Sequence, residues 1–277
     1  MSLPTEVLDY IFSFLESDSV TLEACTRSHP FLSQFAERYL YSTIDLREYV
    51  SKPRKMFELN QLLVDTPRIG SCVRTVEVRI NDNLRQDLTL TSSILRKLPL
   101  VKKILIRLNC RGEISWEMLS KTFRQAFLKC LRLPSMKELS VQYVNNFPLS
   151  ALKGSKTIKA VELVGWKCDP KMKVPGDTLP HPFLSIESLS IKSCESKSVR
   201  TMLPWLEKCH IHSLFFFHGH DFDVLPDLLA CCSNHLTTLE LRLHHKCMSC
   251  PFDQMFPTKA WHYSSIILQP DDKRSQA

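Results

Sequence analysis

The side chains best suited to chemistry lie near the C-terminus. The run His244-His245-Lys246-Cys247-Met248-Ser249-Cys250 holds a C-x-x-C pair, two thiolates at the spacing of a zinc-ligand pair with imidazoles beside them. A structural zinc takes four ligands, and the chain has no second C-x-x-C. His262, or Cys209 with His210 and His212, would have to converge on the pair. Unligated loop thiols are therefore the expectation, with no metal. Cys209-His210 is the kind of pair that suggests a nucleophile and its base, but adjacent side chains do not usually make one. Glycine is scarce at 6 residues, and G-x-G-x-x-G, G-x-x-x-x-G-K-[ST], H-E-x-x-H and G-x-S-x-G are all missing. These observations predict no catalytic residues and no cofactor: a chain that binds rather than reacts.

The elements that carry such binding must come from 277 residues that are 44% hydrophobic and 23% charged. That composition excludes a disordered chain, and a mean hydropathy of −0.12 without a long uncharged stretch argues against a membrane span. The 11 cysteines are odd in number and irregularly spaced, and residues 1–6 lack a basic and an apolar stretch of leader type. A reducing compartment, cytoplasm or nucleus, is expected, with many thiols packed as small apolar groups. Residues 1–48 hold 8 acidic and 3 basic side chains, net −5, and residues 49–277 hold 21 and 33, net +12. This shift places a boundary near residue 48. The modest basic excess reads as solvated surface, so no nucleic-acid partner is expected.

Residues 4–15 predict a helix. Pro4 suits its first position and Glu6 its first turn, and Val7, Leu8, Ile11, Phe14 and Leu15 form an apolar stripe, with Tyr10 and Phe12 outside it. Apolar surface on more than one side of so short a helix predicts burial against both its own domain and a partner. Asp18 and Ser19 are expected to cap a second helix carrying Val20, Leu22 and Cys25. Ser28 is expected to cap a third, with Pro30 near its start and Phe31, Leu32, Phe35, Tyr39 and Leu40 at helical spacing.

The string Leu3-Pro4-Thr5-Glu6-Val7-Leu8-Asp9-Tyr10-Ile11-Phe12-Ser13-Phe14-Leu15 resembles the opening of an F-box. Leu22 and Cys25-Thr26-Arg27 resemble its second helix. Tyr41-Ser42-Thr43-Ile44-Asp45-Leu46 resembles the strand that often follows the F-box in fungal members. The family often has Trp after the Arg-Ser step; here His29 follows Arg27-Ser28, and Phe31 is expected to take over the buried aromatic role. The resemblance implies a surface for a Skp-type linker subunit, made by Leu3, Pro4, Glu6, Val7, Leu8, Ile11, Leu15 and Leu22. An N-terminal helical cap on a larger domain is the plainer alternative.

Beyond residue 40 a template of apolar-x-x-apolar-x-apolar recurs. It occurs at Tyr41/Ile44/Leu46, Val73/Val76/Val78, Val101/Ile104/Ile106, Met136/Leu139/Val141 and Ile158/Val161/Leu163. It continues at Ile186/Leu189/Ile191, Ile211/Leu214/Phe216, Leu236/Leu239/Leu241 and Tyr263/Ile266/Leu268. The last five steps are 22, 28, 25, 25 and 27 residues, more regular than chance matches to so short a pattern. Helical patterns fall between hits, at 57–63, 116–131 (the longest), 202–209 and 222–232, while Pro-rich 168–185 reads as a loop. Strand, helix, strand predicts parallel pairing through crossovers.

The spacing resembles irregular leucine-rich repeats, with Cys110 and Cys194 standing where the usual Asn is missing. The expected fold class is α/β: a three-helix F-box over 1–48, an irregular leucine-rich-repeat-like solenoid arc with a one-sided parallel sheet over 49–269, and a polar tail over 270–277. A compact α/β domain is the alternative. In the arc the second and third template residues face the core and their neighbours face the open side. That side then carries Arg79, Arg107, Lys192 and Arg242, with Phe215 and Phe217 as an aromatic anchor, a target-binding surface. The resemblance implies a substrate-receptor adaptor of a cullin–RING ubiquitin ligase in the ubiquitin-like conjugation pathway, joining the linker to an unknown protein substrate, with no membrane. The other reading is a repeat interaction module without a ligase role, its F-box-like helices acting as a solenoid cap.

Overall fold

Wherever the apolar template recurs through residue 243, the chain forms a strand. The computed structural model describes residues 3–46, 52–80, 87–108, 115–155, 157–168, 184–218, 223–232, 234–243 and 265–268. The protein is α/β, and its contacts divide it into two compact units, Met1–Asn109 with Leu119–Met136, and Cys110–Met118 with Lys137–Ala277. The three N-terminal helices thus share a unit with the strands that directly follow them.

The first unit opens with α1 (Thr5–Ser13), α2 (Ser19–Ser28) and α3 (Pro30–Leu40). Strands β1 (Thr43–Asp45), β2 (Thr75–Ile80) and β3 (Lys103–Leu108) follow in parallel, joined through α4 (Pro53–Asp65), α5 (Pro67–Cys72) and α6 (Asp87–Leu95). Helix α7 (Lys121–Leu131) packs on α6. Gly70 in α5 lets the Lys97 carbonyl approach so closely that any Cβ there would overlap it.

The second unit holds β4 (Glu138–Gln142), β5 (Ala160–Val164), β6 (Leu184–Lys192), β7 (Cys209–His218) and β8 (Thr238–Leu243), each parallel to the next. Helices α8 (Ser196–Leu206) and α9 (Leu225–Cys232) pack against β7. The last strand, β9 (Ser265–Leu268), pairs antiparallel with β8. The ninth template match is therefore a strand, as expected, but it runs against the direction that the repeat implies.

Register turns the template into stacked columns. Leu139, Val161, Leu189, Leu214 and Leu239 are partners across five strands, as are Val141, Leu163, Ile191, Phe216 and Leu241. All ten are buried, as are Ile44, Val76 and Ile104 in the first unit. Branched residues at these positions suit a pleated surface buried on one side. The turns after β4, β5 and β6 repeat as well: Tyr143, Gly165 and Ser193 all take φ between 53° and 59°. Each donates its backbone N–H to a carbonyl at the end of the next strand: that of Val164, of Lys192 and, one residue before the strand ends, of Phe217.

Helix α4 starts at Pro53 instead of residue 57, α9 at Leu225 instead of residue 222, and two other helices differ more from their sequence reading. Residues 116–131 split into a 3-10 turn at Trp116–Met118 and α7, which Ser120 caps by accepting from Phe123 N–H. Helix α8 begins at Ser196, six residues before the expected start at Met202. Loop residues 169–183 lie outside the described residues.

Candidate functional site

Helix α1 divides its apolar residues between two stripes. Leu8 and Phe12 are buried and Leu15 is half-buried, and with Leu22, Phe35 and Ala36 they form a small core between the three helices. Phe12 stacks on Phe35 at 5.9 Å, and the Tyr39 hydroxyl donates to the Asp9 carbonyl. Val7, Ile11 and Phe14, at the same spacing one residue earlier, are exposed, as are Leu3 and Tyr10. Tyr10 and Phe14 meet edge to face at 4.8 Å in the open.

This corrects the expected linker surface. Leu8 and Leu22 hold the helices together and present no surface, and Leu15 belongs to the same core. Phe12, read as off-stripe, is central to it. Leu3, Pro4, Glu6, Val7 and Ile11 remain outside. Phe31 stays 43% exposed, and the buried aromatic is Phe35. His29, not Ser28, caps α3: its Nδ1 accepts from the Phe31 N–H at 3.1 Å. Asp18 caps α2 as expected, accepting from the backbone and hydroxyl of Thr21, and its carboxyl is held below its ordinary value by those bonds. On the inner side of α3, Glu37 accepts from Ser33 and from Arg68 of α5 at 2.9 Å.

On the outward side of the strands the alternation holds except on β4, where Ser140 is buried as well. Phe216 is buried while Phe215 and Phe217 are half-buried on the other face. In the first unit Arg79 and Arg107 are register partners on β2 and β3 and are half-buried. In the second unit Lys192, Phe217 and Arg242 are partners on β6, β7 and β8, the Arg242 side chain lying outside the described residues. Sequence reasoning missed what Lys192 does. Its ammonium donates to Glu162 at 2.6 Å, and Glu162 also accepts from the Ser140 hydroxyl at 2.6 Å. Burial pushes the Glu162 carboxyl up, but the bonds from Lys192 and Ser140 outweigh it and the net shift is downward. Lys192 is thus half of an ion pair, and its charge is compensated on the spot.

Four of the described thiols are packing groups. Burial pushes Cys130, Cys194, Cys209 and Cys232 up to about 12, far from any nucleophilic range. Cys209 donates to the Trp205 carbonyl, and the His210 ring lies on His235 with centroids 4.0 Å apart. Cys194 donates to the Lys192 and Leu163 carbonyls at 3.5 and 3.7 Å. Among the described residues no three His, Cys, Asp or Glu side chains converge on a possible metal position. The His244–Cys250 run, His262 and Cys110 lie outside those residues. No described helix is long and apolar enough to cross a membrane.

No protein-family model matches the chain, and no curated protein matches it closely enough to count as a relative.

Proposed function

We propose that the chain is a substrate-receptor subunit of an SCF-type cullin–RING ubiquitin ligase, in which α1–α3 act as an F-box on a Skp-type linker. The leucine-rich-repeat-like solenoid then recruits a protein target. The chain does no chemistry of its own; it raises the local concentration of the target beside the ubiquitin-carrying enzyme. The observation that carries the reading is the outer stripe of α1. Val7, Tyr10 and Ile11 on the helix, with Leu3 before it and Phe14 at its C-cap, are 41–67% exposed beside a stripe that is already satisfied. A helix that only caps a solenoid has a polar outer face, whereas an aromatic and aliphatic stripe is what a partner buries.

The test is capture of the purified full chain by a purified Skp-type linker. Wild type is expected to bind. The double variant Ile11→Asp/Phe14→Ser is expected to lose binding while its circular dichroism and melting stay unchanged, because neither side chain belongs to the helix core. Absence of capture by the wild type, or equal capture of the variant, would leave a repeat interaction module with a helical cap.

A further inference from the structure

We infer that the open face of the second unit takes an uncharged, extended peptide segment lying across the strands, with apolar residues three positions apart. The inference rests on the adaptor reading only in calling that segment part of a target; the binding itself does not depend on the linker.

The face has an apolar floor in two places. Val164 ends β5, and the Tyr143 ring, 46% exposed, covers the backbone of Gly165 just beyond it. That ring is there because Gly165 has no Cβ; a methyl group would overlap it. Phe217, with Phe215 two residues before it, supplies the second place on β7. Val164, Lys192 and Phe217 are register partners on three successive strands. Neighbouring strands lie about 4.8 Å apart, so the two apolar places are about 10 Å apart. Three residues of extended chain cover about 10 Å. A segment crossing the strands therefore seats residue i on Tyr143 and Val164, and residue i+3 on Phe217.

What lies between decides the charge of the occupant. Lys192 is the register position between the two places, and its ammonium is drawn to Glu162 on β5 at 2.6 Å. On β8 the register partners of Phe215 and Phe217 are Glu240 and Arg242, one charge of each sign. Glu162 and Lys192 cancel each other beside the apolar places. An acidic segment would have to take Lys192 from Glu162 and leave that carboxylate, already partly desolvated, without its cation. A basic segment meets the mirror of the same problem. The complement to a locally neutral face with aromatic anchors is an uncharged apolar segment.

The experiment is a selection of random phage-displayed dodecapeptides on the immobilised full chain. Peptides retained by wild type but not by Phe217→Ser are sequenced and re-tested as synthetic peptides. The expected consensus is uncharged with large apolar residues three apart, and its affinity changes by less than about twofold between roughly 0.05 and 0.5 M salt. Tyr143→Ala is expected to weaken the same peptides and controls for folding of the Phe217 variant, since Tyr143 lies in a turn outside the core. Glu162→Gln is expected to turn the selection toward acidic peptides and to make it salt-sensitive, because it frees the Lys192 charge. An acidic or basic consensus on wild type, strong salt dependence, or no peptides that depend on Phe217 would overturn the inference. Loss of linker binding would overturn the adaptor reading and leave this one standing.

Discussion

Helices α1–α3 and strands β4–β8 dispose of their outward-facing residues in opposite ways. The helices form a core of a few side chains and leave Val7, Tyr10, Ile11 and Phe14 in water. The strands bury two unbroken columns of apolar residues, and on their outer face pair Glu162 with Lys192 around half-buried Phe215 and Phe217. The difference teaches where each region's stability comes from. Three helices of about ten residues each are too short to be stable alone and depend on packing. The columns stack apolar residues from strand to neighbouring strand, so burial is shared across β4–β8.

The sharpest way to break that comparison is to truncate adjacent residues on one strand. Phe216→Ala empties a fully buried position and is expected to cost about 3–5 kcal/mol, whereas Phe217→Ala, one residue on, is expected to cost about 1 kcal/mol or less. Urea unfolding followed by circular dichroism measures both. Similar losses for the two would mean that the face of Phe217 is packed as a second core.

The same contrast in α1 is expected to be somewhat smaller, because the helix core is smaller. Phe12→Ala removes the ring stacked on Phe35 and is expected to cost about 3 kcal/mol, while Ile11→Ala is expected to stay within about 0.5 kcal/mol of wild type. Hydrogen exchange of the α1 amides would show the first loss as local opening. If Ile11→Ala proved the costlier, the two stripes would be exchanged and the proposed linker surface would be core.

Both pairs probe what was legible in the sequence. The strand columns were, because branched and aromatic residues at fixed spacing keep one face whatever lies between them. Eight of the nine template matches lie in parallel strands for that reason, and the outward placement of Phe215 and Phe217 followed from the alternation alone. The phase of α1 was harder: residues 7, 8, 10, 11, 12, 14 and 15 are all apolar or aromatic, so a shift of one position fits almost as well. Only the partners Phe35 and Ala36 choose between the stripes. Helix α6 was missed because Asp87-Leu88-Thr89-Leu90-Thr91-Ser92-Ser93 contains weak helix formers. Burial of Leu88, Ile94 and Leu95 overrides them, and the Ser92 hydroxyl is satisfied by the Leu88 carbonyl. The Lys192–Glu162 pair was out of reach, since its members are 30 positions apart and meet only once strand order is known.

The repeated left-handed turns offer a finer test of the strand region. Gly165→Ala keeps every core residue but places a methyl group in the Tyr143 ring at a backbone angle of φ 56°. The expected cost is about 1–2 kcal/mol, from left-handed backbone and displaced ring together. Tyr143→Ala in the same chain is expected to relieve only the ring overlap and so to restore part of the loss. A thermodynamic cycle over the two single variants and the double variant reads that coupling. Strict additivity would mean that the ring does not rest on Gly165.

The smallest effect, and the one that bears most on the outer face, is the pH dependence contributed by Glu162. Burial raises its carboxyl, while the bonds from Lys192 and Ser140 lower it further, so its folded value lies below the ordinary 4.5. A depressed carboxylate adds stability that is fully present above the unfolded value and is lost as pH falls through the folded one. Wild type should therefore lose stability relative to Glu162→Gln as pH drops below about 4.5, and lead the variant at neutral pH. The Lys192 and Glu162 side chains are 45% and 30% exposed, so the neutral lead should be about 1 kcal/mol or less and shrink with added salt. Parallel unfolding curves from neutral pH into the acid range measure it. A variant that matches wild type throughout would mean that Lys192 is not held, and the outer face of the strands would then carry an uncompensated cation instead of the neutral surface that distinguishes it.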